Sequence, residues 1–337
     1  MVTIYDIARR LGVSPPTVSK ALNNQPDISE ETKKRVRQLA EELGYTPNSS
    51  ARGLITKKTW LIGMIYEEDH LGVGVEHPLF SGIMNAFKNK IEQEGYELLF
   101  ISKNLGDQQL SYLEHCRYRR VDGVLVLNGN SENLEIKRVI HSSIPVVSAN
   151  IVFPNVCTVT SDNVTPSREV VRYLYNLGHR RIAHISGPLD YYASAAVERL
   201  EGYKLGLKDV GLDYDPALVI HATHWNVTGG YRAMESFLHA QVPFTAIYCG
   251  GDVLALGVMK YCQDHGISIP EAFSLVGFDD YEWASYSHPP LTTFRQNRKA
   301  IGEAAAESLI KKINGENLPH RILLPVEFIE RQSCKKI

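Results

Sequence analysis

Apolar residues recur at helical spacing from the start of the chain, at Ile4, Ile7, Ala8 and Leu11. Gly12 stops that run. Ser14 is a suitable cap for a second helix, with Pro15 and Pro16 in its first turn, where a missing N–H costs little. Val18 and Leu22 face back toward the first helix, leaving Pro15, Pro16, Thr17, Ser19 and Lys20 outward. The pattern predicts helix, turn, helix. Ser29-Glu-Glu-Thr32 starts a third helix, whose stripe is Val36, Leu39, Ala40 and Leu43 and whose stop is Gly44. Pro47 marks a break, and 48–54 is too short and too glycine-weakened to hold a helix alone. From Trp60 the pattern changes. Apolar runs of strand length (Leu61–Tyr66, Leu98–Ile101, Val124–Leu127, Pro145–Ala149, Ile182–Ile185, Ala246–Cys249, Leu275–Phe278) alternate with amphipathic stretches at Phe80–Gln93, Val164–Leu177, Val227–Leu238 and Ala300–Ile313. Alternating β and α predicts an α/β protein with doubly wound parallel sheets, helices on both faces, behind a small helical head.

The chain has 337 residues, more than one ordinary core accommodates. The expected layout is a helix-turn-helix head over 1–46, a hinge helix and linker over 47–59, and a two-lobed body over 60–337. The amino-terminal lobe would take about 60–161 and 293–323, the carboxy-terminal lobe about 162–292 and 324–337. A ligand would lie between the lobes, at the carboxyl ends of the strands.

Charge sharpens this picture. The net charge is −2, yet residues 1–58 carry ten Lys/Arg against six Asp/Glu, and the remainder carries 26 against 32. A basic head on an acidic body predicts that the head alone meets a polyanion. Short polar side chains and one cation on an exposed helix start suit the DNA major groove. Five scattered cysteines fit a reducing cytoplasm better than a disulfide framework or a zinc site. No apolar run reaches the roughly 20 residues of a membrane span, and the polar start from Thr3 predicts no export signal. His221 and His224, with Glu67-Glu-Asp-His70, lack the second cluster that metal binding needs. Gly72-Val-Gly74 begins no phosphate loop, and no nucleophile and base are paired for catalysis. No enzyme activity, metal or cofactor is expected.

These residues resemble a known family. Thr3-Ile-Tyr-Asp-Ile-Ala, Gly12-Val-Ser, Thr17-Val-Ser and Leu22-Asn23, followed by Ser29-Glu-Glu-Thr, Ala40 and Leu43-Gly-Tyr-Thr-Pro-Asn48, are similar to the lactose/galactose repressor family of bacterial transcription regulators. Gly178-His-Arg-Arg-Ile-Ala, Ser186-Gly-Pro, Arg199-Leu-Glu-Gly-Tyr203, Val276-Gly-Phe-Asp-Asp280 and Pro289-Pro-Leu-Thr-Thr293 extend the resemblance along nearly the whole chain. It implies a homodimer with two DNA heads gripping a pseudo-palindromic operator, and a body shaped like a periplasmic sugar-binding protein. The lack of a heptad extension after Phe328-Ile-Glu-Arg-Gln favours a dimer over a tetramer.

Carried over residue by residue, the resemblance places Pro15, Pro16 and Lys20 at base edges. Proline offers no side-chain hydrogen bond, so Lys20 should carry most direct readout, at guanine O6/N7. Tyr5, Ser14, Thr17, Ser19, Asn23, Tyr45 and Asn48 are better placed for phosphates and would fix register. Ala51 and Leu54 take the hinge role, with Leu54 wedging between base pairs in the minor groove and the segment folding only on DNA. For the effector, a sugar or sugar derivative, Arg199 supplies forked donors, Asp279 accepts hydroxyls, Trp225 stacks on a ring, Phe80 with Leu79 forms the opposite wall, and Asn150 adds a polar contact. Gly251 stands where the family often has a ligand-binding asparagine, and Gly250-Gly251 would leave room for a bulkier molecule. Effector binding would change the spacing of the hinges and so the operator affinity. Two other readings stay open: a catabolite-control-type regulator signalled by a partner protein, and a cytoplasmic sugar-binding protein without operator function.

Overall fold

Local capping sets the head. Asp6 accepts the Thr3 N–H at 2.9 Å and starts helix α1 (Ile4–Leu11), and Gly12 ends it in the left-handed conformation, with φ 67°. Ser14 Oγ accepts the Thr17 N–H at 3.3 Å and caps α2 (Pro15–Leu22), whose first positions are the two prolines. Ser29 Oγ caps α3 (Glu30–Glu42) through the Thr32 N–H. The three helices bury one small core of Ile7, Ala8, Val18, Ala21, Val36 and Ala40.

The computed structural model describes residues 2–45, 58–67, 74–189 and 194–337. The chain forms two units, Met1–Thr59 and Trp60–Ile337. The second begins with strand β1 (Leu61–Tyr66), helix α4 (Pro78–Gln93), β2 (Glu97–Phe100) and a small hairpin, β3 (Asn104–Leu105) with β4 (Gln108–Gln109). Then follow α5 (Tyr112–Arg119), β5 (Gly123–Asn128), α6 (Leu134–Ile140), β6 (Val146–Ala149) and β7 (Cys157–Ser161). Next come α7 (Val164–Asn176), β8 (Ile182–Ser186), α8 (Ser194–Asp209), β9 (Val219–His221), α9 (Val227–His239), β10 (Ala246–Cys249), α10 (Asp252–Asp264) and β11 (Ser274–Val276). The chain closes with β12 (Thr293–Gln296), α11 (Arg298–Ile313), β13 (Arg321–Leu324) and β14 (Val326–Ile329).

One parallel sheet has the order β13-β7-β6-β5-β1-β2, a second the order β11-β10-β8-β9, and β12 pairs antiparallel with β14. The chain therefore passes between the sheets three times, at 162–163, 292–297 and 325. Each sheet is buried on both faces. Along β5, Leu125 and Leu127 join the core under α4 and α11, while Val124 and Val126 join the core under α5 and α6. Along β10, Ile247 and Cys249 face α9 and α10, while Ala246 and Tyr248 face α7 and α8. Strands covered on both sides read as continuous apolar runs, which is why the sequence exposes them. The run expected over Leu275–Phe278 ends as a strand at Val276. Beyond it the Gly277 and Asp279 N–H groups donate to the Thr292 and Phe294 carbonyls, so the backbone turns toward β12. No helix among the described residues is long and apolar enough to cross a membrane.

Candidate nucleic-acid interface and ligand pocket

On α2 the side chains of Pro16 and Lys20 are exposed, and Pro15, Thr17 and Ser19 are half-buried. The Lys20 ammonium pairs with the Asp27 carboxylate at 2.5 Å, which keeps the cation at the exposed end of the helix and holds Asp27 below the usual carboxylate range. Ser14 and Thr17 hydroxyls bond to each other at 2.8 Å besides capping α2, so any phosphate contact must share them. Asn23 Nδ2 donates to the Ser19 carbonyl at 2.9 Å. Tyr5 stands out from α1 with 65% of its surface exposed. Tyr45 leans on the head core, and its N–H donates to the Ala40 carbonyl at 2.8 Å. The expected contacts Asn48, Ala51 and Leu54 lie outside the described residues.

In the second unit, Leu79, Phe80, Asn150, Arg199, Trp225 and Asp279 line one cavity. They come from the start of α4, the loop after β6, α8, the loop before α9 and the segment after β11, so only the fold joins them. The loops at strand ends use special backbone: Asn150 has φ 73° and Asp279 φ 127°. Non-glycine residues held there cost on the order of 1–3 kcal/mol and concentrate at binding sites.

Arg199 is buried. Its Nε donates to Asn163 Oδ1 at 2.9 Å, its Nη1 donates to the Gly250 carbonyl, and its Nη1 lies 3.8 Å from Asp279 Oδ1. The guanidinium stacks 3.6 Å from the Phe278 ring centroid. Among the described residues its Nη2 makes no hydrogen bond, which leaves donors for a ligand. Asp279 Oδ1 accepts from Gln296 Nε2 at 2.6 Å, and the neighbouring Tyr281 side chain also favours the anion of this carboxylate. Behind it, the fully buried Asp252 accepts from Thr293 Oγ1 at 2.6 Å and from the Tyr281 N–H at 3.0 Å. Burial, then the neighbouring Asp279 carboxylate, pushes Asp252 up to about 7. Arg199, Gln296 and Tyr281 all favour the Asp279 anion, so Asp252 is the member of the pair that holds a proton more readily.

Gly251 departs from expectation. It is buried, it precedes the first turn of α10, and it does not line the cavity. A Cβ there would come within 2.9 Å of the Trp225 ring, and one on Gly187 would overlap the same ring. The space left by these glycines is taken by the indole of Trp225, which packs against the cores of both sheets. It is not room for a bulkier ligand. Sequence reasoning missed His77, Asn128, Ala195, Val253 and Tyr281, which complete the lining. His77 lies against Phe80 with centroids 4.8 Å apart and edge-on to Tyr281 at 6.0 Å. A signal existed for Asn128: it ends β5, as Asn150 follows β6, where an α/β sheet presents its ligand contacts. The cavity is small, about 60 Å³. Among the described residues no group of three or more His, Cys, Asp and Glu could hold a metal.

A helix-turn-helix head and a two-sheet body with a polar, aromatic-lined cavity define a DNA-binding regulator with a ligand-binding domain. The bacterial regulatory proteins, lacI family, match residues 3–48, and a periplasmic binding protein-like domain matches residues 171–334. Catabolite control protein A of Priestia megaterium is 32% identical, with 99% of each chain covered. The HTH-type transcriptional repressor PurR of Vibrio atlanticus (strain LGP32) is 31% identical over the full length of both. Among solved structures, a lac repressor dimer bound to operator and the anti-inducer ONPF superposes with a TM-score of 0.83 at 25% identity, covering 99% of each chain. The chain belongs to the lacI family of bacterial regulatory proteins. It is a DNA-binding transcriptional regulator, and the family is not one of enzymes.

Proposed function

We propose that this regulator is a homodimeric repressor that works in the cytoplasm, grips a pseudo-palindromic operator through two α2 helices, and answers to a sugar or sugar derivative held between the two sheets of its body. The single observation that carries the effector reading is the convergence of six dispersed residues on one cavity. Its chemistry fits a neutral polyol. Phe80 and Trp225 offer apolar faces for a ring, Asn128 and Asn150 offer amides, and Arg199 with Asp279 offers forked donors beside an acceptor. The lining carries one guanidinium against one carboxylate, with Asp252 behind it, so a phosphorylated or acidic ligand would find no surplus of positive charge. In the head, Lys20 carries base readout, Tyr5, Ser14, Thr17, Ser19, Asn23, Tyr45 and Asn48 track phosphates, and Ala51 and Leu54 enter the minor groove.

Filter binding against genomic fragments, with neutral sugars, sugar phosphates, sugar acids and nucleosides added in turn, tests the whole reading. One neutral sugar should shift operator affinity about 5- to 150-fold, the span of 1–3 kcal/mol of coupling. Arg199→Ala should abolish that response and leave operator binding in place. Lys20→Ala should relax discrimination by about 1–3 kcal/mol. Specific binding that survives Lys20→Ala unchanged would remove Lys20 from the readout, and a normal response in Arg199→Ala would remove it from the pocket.

A further inference from the structure

The charged residues of the cavity are anchored on the very segments that pass between the sheets. Gln296, the last residue of β12, holds two partners with one side-chain amide. Its Nε2 donates to Asp279 Oδ1 at 2.6 Å, and its Oε1 accepts from Ser161 Oγ at 2.7 Å. Ser161 is the last residue of β7, in the first sheet, whereas Asp279 follows β11, in the second. All three are buried, at 2–6% exposure. Arg199, whose Nη1 lies 3.8 Å from the same carboxylate, is anchored in a similar way. Asn163 Oδ1 accepts from Arg199 Nε, and its Nδ2 donates to Glu198 Oε2 at 2.9 Å. Glu198 in turn pairs with Arg321, the first residue of β13, at 2.6 Å. Neither Ser161, Gln296 nor Asn163 lines the cavity.

We infer that Gln296 is a positioning residue that couples ligand occupancy at Asp279 to the mutual setting of the two sheets, through its bond to Ser161. The physics is direct. A ligand hydroxyl that donates to Asp279 competes for the carboxylate that Gln296 already holds. A buried amide left short of a partner is costly, so its two bonds tend to hold or change together. A rotation about 162–163 and 292–297 moves Ser161 relative to Asp279 and pulls on the same amide from the other end. By linkage, whatever occupancy does to the sheet setting, the sheet setting does to occupancy.

This inference rests on the proposed cavity being the effector site, and the test separates the two. Full-length protein is titrated with glucose, galactose, ribose and cellobiose, free and in the presence of an excess of a genomic fragment selected by filter binding. The ratio of the two dissociation constants is the coupling factor. Gln296→Met and Ser161→Ala each remove the strut, and Ser161→Ala leaves the Gln296–Asp279 bond untouched. Both should bring a wild-type ratio in the range of about 5 to 150 down toward one. The double variant should do no more than either single, and sugar affinity of the free protein should stay close to wild type in Ser161→Ala. A merely structural role would lower the melting temperature and leave the ratio alone. A wild-type ratio above one that persists in folded Ser161→Ala and Gln296→Met overturns the inference and spares the proposed function. A wild type in which none of the four sugars changes fragment binding overturns both.

Discussion

His184 lies wholly inside the second sheet, stacked between Tyr203 and Tyr248 with centroids 5.0 and 4.8 Å away. Its Nδ1–H donates to the Tyr248 carbonyl, and Nε2 has no partner among the described residues. Burial first, then the nearby His221 and Arg199, depresses its pKa to about 3. The folded state therefore resists a proton that the unfolded chain takes up near 6.5, and stability from this group is lost as pH falls through that window. Asp252 has the opposite sign. Its pKa is raised from 3.8 to about 7, so the folded state holds a proton that the unfolded chain releases, and stability falls as pH rises from about 4 to 7. Each window spans on the order of 4 kcal/mol. The two offset one another in the wild type. His184→Phe should leave the Asp252 slope exposed, with melting temperature falling between pH 4 and 7. Asp252→Asn, whose amide can still serve the Tyr281 N–H and the Thr293 hydroxyl, should leave a rise over the same range. Calorimetry across that range checks both, and parallel profiles for the two variants would refute the assignment. Neither role was legible in the sequence, because both depend on what lies beside a residue in space. Arg199 and Asp279 were legible through their motifs. Gly251 misled because a missing side chain says nothing about which neighbour, here Trp225, fills the gap.

Element by element, legibility followed the unbroken apolar run rather than burial itself. Ala246–Cys249 is a strand over the very residues expected, and Leu61–Tyr66 likewise, because both faces of these strands are covered and the apolar run is unbroken. In the first sheet the buried β7 reads Cys-Thr-Val-Thr-Ser and the edge strand β13 reads Arg-Ile-Leu-Leu, and neither run stands out from its flanks. Helix α8 escaped notice for a related reason. It buries Arg199, Gly202 and Gly206 along with Leu200, Tyr203 and Leu207, so its inner face is not a simple apolar stripe. The head was the most legible part, since its signals are local: cap, proline, glycine. That locality yields a sharp expectation. Among the described residues Ser14 supplies the only side-chain cap of α2, and it also orients Thr17. Ser14→Ala should destabilise the head by about 1 kcal/mol, the ordinary cost of losing an N-cap, and weaken operator binding across all sequences alike. Ser14→Asp should restore the helix start while placing a carboxylate toward DNA. Thermal melting of the head and binding to specific and random duplexes would therefore part company in that variant. If Ser14→Ala altered sequence preference instead, Ser14 would belong with the base readers.

At the scale of the whole molecule, the two units carry separate cores. The head buries Ile7, Ala8, Val18, Ala21, Val36 and Ala40 among its own helices, and the four larger clusters of the second unit contain no head residue. A unit with its own core can fold alone, and one of a few dozen residues around six small buried side chains should be the weaker partner. The charge divides at nearly the same place, basic before Thr59 and acidic after it. The full chain should therefore melt in two steps, the lower one belonging to the head. A fragment beginning at Trp60 should keep the upper transition unchanged and keep its stabilisation by the sugar that binds the full chain, which follows RT ln(1 + [L]/Kd). The same fragment should lose DNA binding altogether, including the salt-sensitive nonspecific part, because it removes the whole excess of positive charge. Scanning calorimetry with and without sugar, paired with filter binding at low salt, reads all three. An upper transition that drops by several degrees in the fragment would mean that the body draws stability from the head. Retained low-salt binding would mean that the acidic body has a polyanion site of its own. With the upper transition held and DNA binding gone, the residues before Thr59 would own the nucleic acid and those after it the ligand.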